Sequence, residues 1–200
     1  MKRGCVIGLV LAAVFALIVF MVVSYGVRLY NKMVTMNETV STAWSNVETQ
    51  YQRRADLIPN FVNTVKGAAN FEQETLTRVI EARAKATSVT IDPKNLDQAS
   101  LDKFQAAQGE VSSTLSRLMV VVEKYPELKA TQNFRDLQVE LEGTENRISV
   151  ARNNFNDTAR EYNTLISKFP NVIIAGITGF TKKPYFKAAE GSDKAPQVQF

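Results

Sequence analysis

The side chains that could carry chemistry fall in three places. Arg53, Arg54 and Asp56 lie together just ahead of Pro59, and Lys124, Tyr125, Pro126, Glu127, Lys129 and Asn133 form a second dense polar grouping. Glu140, Glu142, Glu145 and Arg147, followed by Arg152, Asn153, Asn156, Arg160, Glu161 and Asn163, make the third. Glu142, Glu145 and Asn146 have the spacing to offer oxygens to a cation. No ExxH element accompanies them, so half of a di-iron ligand pattern is missing. The sequence has no histidine, which removes the usual general base and the commonest zinc ligand. Its single cysteine, Cys5, supports neither an internal disulfide nor a thiolate cluster. GxGxxG, GxxxxGK(S/T) and GxSxG elements are also absent, so phosphate cradles and the hydrolase nucleophile turn have no support. The expectation is a non-enzymatic chain with no cofactor and no metal, a cryptic metal-dependent hydrolase being the remote alternative.

The first two groupings then read as candidate interaction surfaces: Arg53, Arg54 and Asp56 in one, Lys124, Tyr125, Glu127 and Lys129 in the other. The competing reading of each is structural, a polar corner where one helix ends, turns and hands over to the next. A net charge of +4 and a pI near 9.2 are mild. The basic residues do not gather into a tract interleaved with aromatics, so nucleic acid is not an expected partner.

The elements that must position these groups begin with Val6 to Tyr25, a charge-free apolar run. A helix of that length rises about 30 Å, roughly the hydrocarbon thickness of a bilayer. Lys2 and Arg3 precede it, Arg28 and Lys32 follow, and Tyr25 and Tyr30 suit the headgroup level. The run is longer than the core of a cleaved signal peptide. A retained anchor over residues 1–28 is therefore expected, with a cytoplasmic N-terminus and an exported body.

Beyond it, Leu29, Met33, Met36, Val40, Ala43, Val47 and Tyr51 alternate fours and threes, a coiled-coil-like seam. Pro59 either opens a second helix, through Phe61, Val65, Leu76, Val79 and Ala86, or kinks one very long helix. Thr87 to Leu101 is the clearest connector, with Asp92-Pro93 favouring a turn and Asp97 or Ser100 available as a cap. A third helix carries Phe104, Ala107, Val111, Leu115, Leu118, Val122 and Tyr125 on one side and stops at Pro126. A fourth holds Phe134, Leu137, Leu141, Thr144, Ile148, Ala151, Phe155, Thr158, Tyr162, Leu165 and Phe169 at three-four spacing. The expected fold is all-α: a transmembrane helix followed by an elongated antiparallel long-helix bundle over residues 29–170, about four main helices in all.

Residues 171–187 differ in character. Val172, Ile173, Ile174, Ile177 and Phe180, with Tyr185 and Phe186, make a Lys-flanked apolar segment. It either folds back over an end of the bundle or meets the membrane or another subunit. Ile173, Ile177, Phe180, Tyr185 and Phe186 join the candidate surfaces on that account. Residues 188–200 read as a disordered tail.

These residues resemble the bacterial LemA family. The matching pieces are YNKMV at Tyr30 to Val34, AWSNVETQYQRRADLIPNFVNTVKG from Ala43, and EARAKA from Glu81. EKYPELKATQNFRDLQVELEGTENRISVARNNFNDTAREYN from Glu123, FPNVIIAGITGF and KKPYF continue the match. Ala55 and the Asn60-Phe61-Val62 continuation depart from the family pattern without threatening the fold. The resemblance implies a membrane helix, a long-helix bundle and no known catalytic activity. It also implies a link to membrane proteostasis through a membrane-embedded zinc metalloprotease, and a periplasmic body. The leading expectation is an envelope scaffold or adaptor for another membrane protein, with homo-oligomers possible through the apolar seams. A self-assembling, membrane-shaping envelope protein is the alternative.

Overall fold

Apolar spacing, prolines and caps decide where the helices run. The computed structural model describes residues 2–67, 72–93 and 96–188, with the side chains of residues 2–6 left aside. The described residues form six helices: α1 Lys2–Lys66, α2 Gln73–Ser88, α3 Gln98–Val122, α4 Pro126–Lys129, α5 Gln132–Ser167 and α6 Asn171–Thr178. Four are long, and the short α4 and α6 go beyond the expected four.

Pro59 does not open a second helix; it lies inside α1, which runs unbroken from the apolar anchor into the body. A proline in a helix interior removes one backbone bond and frees the carbonyl four residues back. Here that carbonyl is Ala55 O, and it accepts a hydrogen bond from Arg83 Nε of α2 at 2.6 Å. A distant side chain thus replaces the missing N–H, and the next helix starts only at Gln73.

Asp97 caps α3 as expected, its carboxylate accepting from Ser100 N at 2.7 Å. That bond holds the Asp97 carboxyl below its usual range. Pro126 forces Tyr125 out of helical geometry (φ −122°, ψ 74°) and opens α4 at its first position. Thr131 then caps α5 by accepting from Phe134 N.

As residue number rises along α1, its partners later in the chain fall in number. Tyr30 meets Phe180, Trp44 meets Phe155, Arg53 meets Glu140 and Phe61 meets Phe134. Two core clusters result. The one beside the anchor joins Met33, Val40, Trp44, Val47 and Tyr51 to Phe104, Phe155, Tyr162, Ile166, Ala175 and Phe186. The other joins Ile58, Phe61 and Val65 to Leu76, Val79, Val111, Leu115, Leu118, Phe134 and Leu141.

The α5 stripe departs from strict three-four spacing in its second half. Ala159, Tyr162 and Ile166 are buried, whereas Thr158 and Leu165 are half-buried and Phe169 lies exposed beyond the helix end. A straight α-helix drifts by roughly 20° per heptad against a 3.5-residue repeat, so the inward face moves one position along.

Residues 181–188 are extended and lie against α3 and α5, held by four side-chain carboxamides. Asn163 accepts from the Lys183 N–H and donates to its carbonyl, both at 2.8 Å. Gln98 makes the same double bond with Tyr185, Asn156 with Phe186 and Gln105 with Lys187. The strap satisfies its backbone as a strand would, using side chains in place of a neighbouring strand. The expected disordered tail lies, from residue 189 onward, outside the described residues.

Candidate functional site

The three candidate groups occupy three levels of the molecule. Arg53, Arg54 and Asp56 do not form an interhelical corner; they lie within α1, at the seam between the two core clusters. Arg54 is 1% exposed and belongs to the interior, not to a surface. Its Nη1 donates to Glu145 Oε1 at 2.6 Å and Ser112 Oγ at 2.7 Å, and its Nη2 donates to Gln108 Oε1 at 2.6 Å and Gln108 O at 3.1 Å. A buried guanidinium is tolerated only when its donors are met in this way. Arg53, by contrast, is exposed and pairs with Glu140, which Arg147 also contacts. Asp56 accepts from Gln52 Nε2 on the same helix.

These contacts settle the use of the third group's carboxylates. Glu140 and Glu145 are engaged by guanidinium groups, and Glu142 accepts from Gln138. No set of three or more His, Cys, Asp or Glu side chains able to hold a metal ion occurs among the described residues. Beside Arg54 a cavity of about 150 Å³ is lined by Glu48, Tyr51, Arg83, Thr87 and Gln108. Ordinary small-molecule sites hold roughly 300–1,000 Å³, so it has room for water and little else. Burial pushes the Glu48 carboxyl up, partly offset by the Trp44 indole N–H, although Trp44 Nε1 makes no bond of full hydrogen-bond geometry. Burial also raises the Tyr51 phenol against the pull of Arg152 and Arg54.

Lys124, Tyr125, Glu127 and Lys129 gather at the end of α1 remote from the anchor. With Thr64, Gly67, Pro126, Leu128, Thr131 and Asn133, the first three line an open cleft of about 740 Å³. Lys129 stands beside it, paired with Glu123 at 2.6 Å, and Lys124 approaches Glu72 at 3.9 Å. Leu128 is buried and Tyr125 half-buried against the core, so the elbow is anchored from beneath while Lys124 and Glu127 stay exposed. Arg135 Nη1 closes the turn from outside by donating to Ala130 O at 2.6 Å.

The C-terminal candidates divide. Phe186 is buried, stacked on Trp44 at 6.0 Å and edge-on to Phe155 at 5.5 Å, with Arg152 over its ring at 4.7 Å. It is a core residue, not a docking one. Tyr185 is partly exposed, and its hydroxyl accepts from Asn163 Nδ2. Phe180 is half-buried against Tyr30, whereas Ile173 and Ile177 are exposed on α6.

Two residues outside the three groups also occupy central places: Trp44, fully buried at the centre of the aromatic cluster, and Lys183, which is buried although charged. Desolvation pulls the Lys183 ammonium below the usual lysine range, while Asp92 and Glu38 pull it back. Its place between Tyr162, 5.9 Å from the ammonium, and the strap's bonds to Asn163 explains the burial. The KKPYF run was the one available signal.

A model of the family described as the LemA family matches residues 43–200. The chain is similar to magnetosome protein MamQ 2 of Paramagnetospirillum magneticum, 27% identical over 208 residues, spanning 96% of this chain and 76% of that protein. It is also similar to magnetosome protein MamQ of Magnetospirillum gryphiswaldense, 28% identical across 99% of this chain and 79% of that one. Protein LemA of Metamycoplasma hominis is 22% identical across 88% of this chain and 80% of its own length.

Proposed function

The chain belongs to the LemA family, and on that premise we propose that it is an envelope scaffold or adaptor whose distal cleft engages another membrane protein. Family membership and the apolar N-terminal part of α1 make it a single-pass inner-membrane protein with an all-α body. Membership of the LemA family is consistent with a non-enzymatic protein.

The finer reading is a cytoplasmic N-terminus, an anchor over residues 1–28, and a periplasmic antiparallel bundle over 29–170 finished by a packing segment over 171–187. The observation that supports the adaptor reading is placement. The cleft lined by Lys124, Tyr125 and Glu127 sits at the opposite end of α1 from the anchor, roughly 55 Å from Val27 at 1.5 Å per residue. An unbroken helix joins the two, so the body carries a charged, half-apolar cleft at its end remote from the membrane. A membrane-embedded zinc metalloprotease is the partner class that the family resemblance offers.

The test is in-cell crosslinking, then mild-detergent purification of the full chain and quantitative mass spectrometry. The Lys124→Glu/Glu127→Lys variant is run alongside. A membrane protein recovered in fixed ratio with the native chain, and depleted at least about tenfold with the variant, is the expected outcome. Recovery of this chain alone, as a defined multimer unaffected by the variant, would replace the adaptor with a self-assembled structural element.

A further inference from the structure

The apolar residues of α6 are too exposed for a helix whose only role is to close the bundle. Asn171 and Ala175 are buried, yet Val172, Ile173 and Ile177 are exposed, and so is Phe169 just before the helix (82%, with Ile177 at 81%). The one outward hydroxyl, Thr178 Oγ1, donates back to Ile174 O within the helix. An apolar patch of this kind on a protein surface marks a contact.

Its position names the contact. The charge-free stretch of α1 reaches Val27, just before Arg28, which puts the hydrocarbon edge near Tyr25 to Val27. Tyr30, about 4.5 Å further along the axis, has its ring 5.8 Å from that of Phe180, and Met33 shares a core cluster with Ala175. α5 pairs Phe155 with Trp44, and its last roughly twelve residues carry it back to the level of Lys32. Both routes place α6 within about one or two helical turns of the bilayer.

The charge there has one sign along the chain. No acidic residue precedes Glu38 in α1, and none lies between Glu161 and Glu190. Arg28, Lys168 and Lys182 are exposed, while Lys183 is turned inward toward the charges of Glu38 and Asp92. A short apolar helix with basic flanks, continuous with a lipid-facing anchor, has the composition of an interfacial segment.

We propose that α6 is a second membrane contact, seating Phe169, Val172, Ile173 and Ile177 in the headgroup–acyl boundary of an anionic bilayer beside the anchor. The single α1 helix would otherwise be free to tilt and spin; this second contact fixes the azimuth and tilt of the body on the membrane.

The test uses the full chain in phosphatidylglycerol-containing vesicles, with Cys5→Ser removing the native thiol. An environment-sensitive fluorophore is attached at Ile177→Cys, or at Val139→Cys on the exposed face of α5 as a control. The probe at 177 is expected to shift to the blue and to lose at least about half its emission to shallow spin-labelled lipids, with the probe at 139 unaffected. Equal, water-like emission at both sites would overturn the proposal. So would a blue shift at 177 that comes without lipid quenching and disappears when the protein-to-lipid ratio is lowered, because a second copy would then be covering the face.

Discussion

The half of the body next to the bilayer is built on rings, and the half away from it on aliphatic chains. Around Trp44, the rings of Phe104, Phe155 and Phe186 pack at 5.3–6.0 Å, and Tyr51 abuts Phe104 at 5.0 Å. The carboxamide-held strap covers this half from outside. The remote half is filled largely by valine, leucine and isoleucine around the ring pair Phe61–Phe134, and ends in an elbow and an open cleft. Where one stretch must hold a mast upright on its anchor, large rings and a strap supply many fixed contacts. In the remote half the core is simpler, and polar side chains at the elbow stay in water. The Arg54 network stands at the seam and ties α1, α3 and α5 together there.

The largest effect should come from the aromatic half. Phe186→Ala empties a slot among Trp44, Phe155 and Arg152 and is expected to cost about 3–5 kcal/mol. Because Trp44 is the sole tryptophan, its fluorescence reports unfolding of this half directly. An Ala variant with an unshifted denaturant midpoint would break the comparison.

Two adjacent arginines sharpen the seam. Arg54→Ala removes the buried guanidinium from Glu145, Gln108 and Ser112 and should cost about 3 kcal/mol. That is the low end for a buried pair, since the Glu145 side chain is 43% exposed and can turn to water. Arg53→Ala breaks an exposed pair with Glu140 and should cost less than about 1 kcal/mol. Equal costs for the two neighbours in urea unfolding would contradict the burial argument.

A smaller effect is expected from Arg83→Met, which keeps the aliphatic stem but leaves the buried Ala55 carbonyl opposite Pro59 without a donor. The expected loss is about 1–3 kcal/mol. Restoring the helix bond from within, by Pro59→Ala in the Arg83→Met background, should recover most of it.

Last comes pH. Burial lowers the Lys183 ammonium, so between that lowered value and the ordinary lysine range the unfolded chain binds more protons than the folded one. Stability therefore rises with pH through that window and is lost as pH falls through the folded value. Lys183→Met should flatten the slope in denaturant titrations at alkaline pH. An unchanged slope would remove Lys183 from the interior.

Features governed by local chemistry were legible in the sequence. The apolar anchor, the Asp97 cap, the Pro126 stop and the helix stripes each depend on residues a few positions apart. Pro59 was ambiguous because the donor that lets α1 continue is Arg83, in another helix. Arg54 looked like a surface residue because its partners, Gln108, Ser112 and Glu145, lie on α3 and α5. The strap was invisible for the same reason: Gln98 and Gln105 on α3, and Asn156 and Asn163 on α5, look like solvated polar positions until an extended chain lies across them. Lys124, Tyr125 and Glu127 are neighbours in sequence and in space, since one proline-bounded turn holds them all.

The most direct test of the central claim is position-resolved photocrosslinking in living cells, with a photoreactive residue placed in turn at Glu127 beside the cleft, at Arg53 on α1 and at Val139 on α5. One membrane protein is expected to be captured from position 127 and to be absent from 53 and 139. Capture of that protein from 53 or 139 but not from 127, or of only this chain from all three, would contradict it.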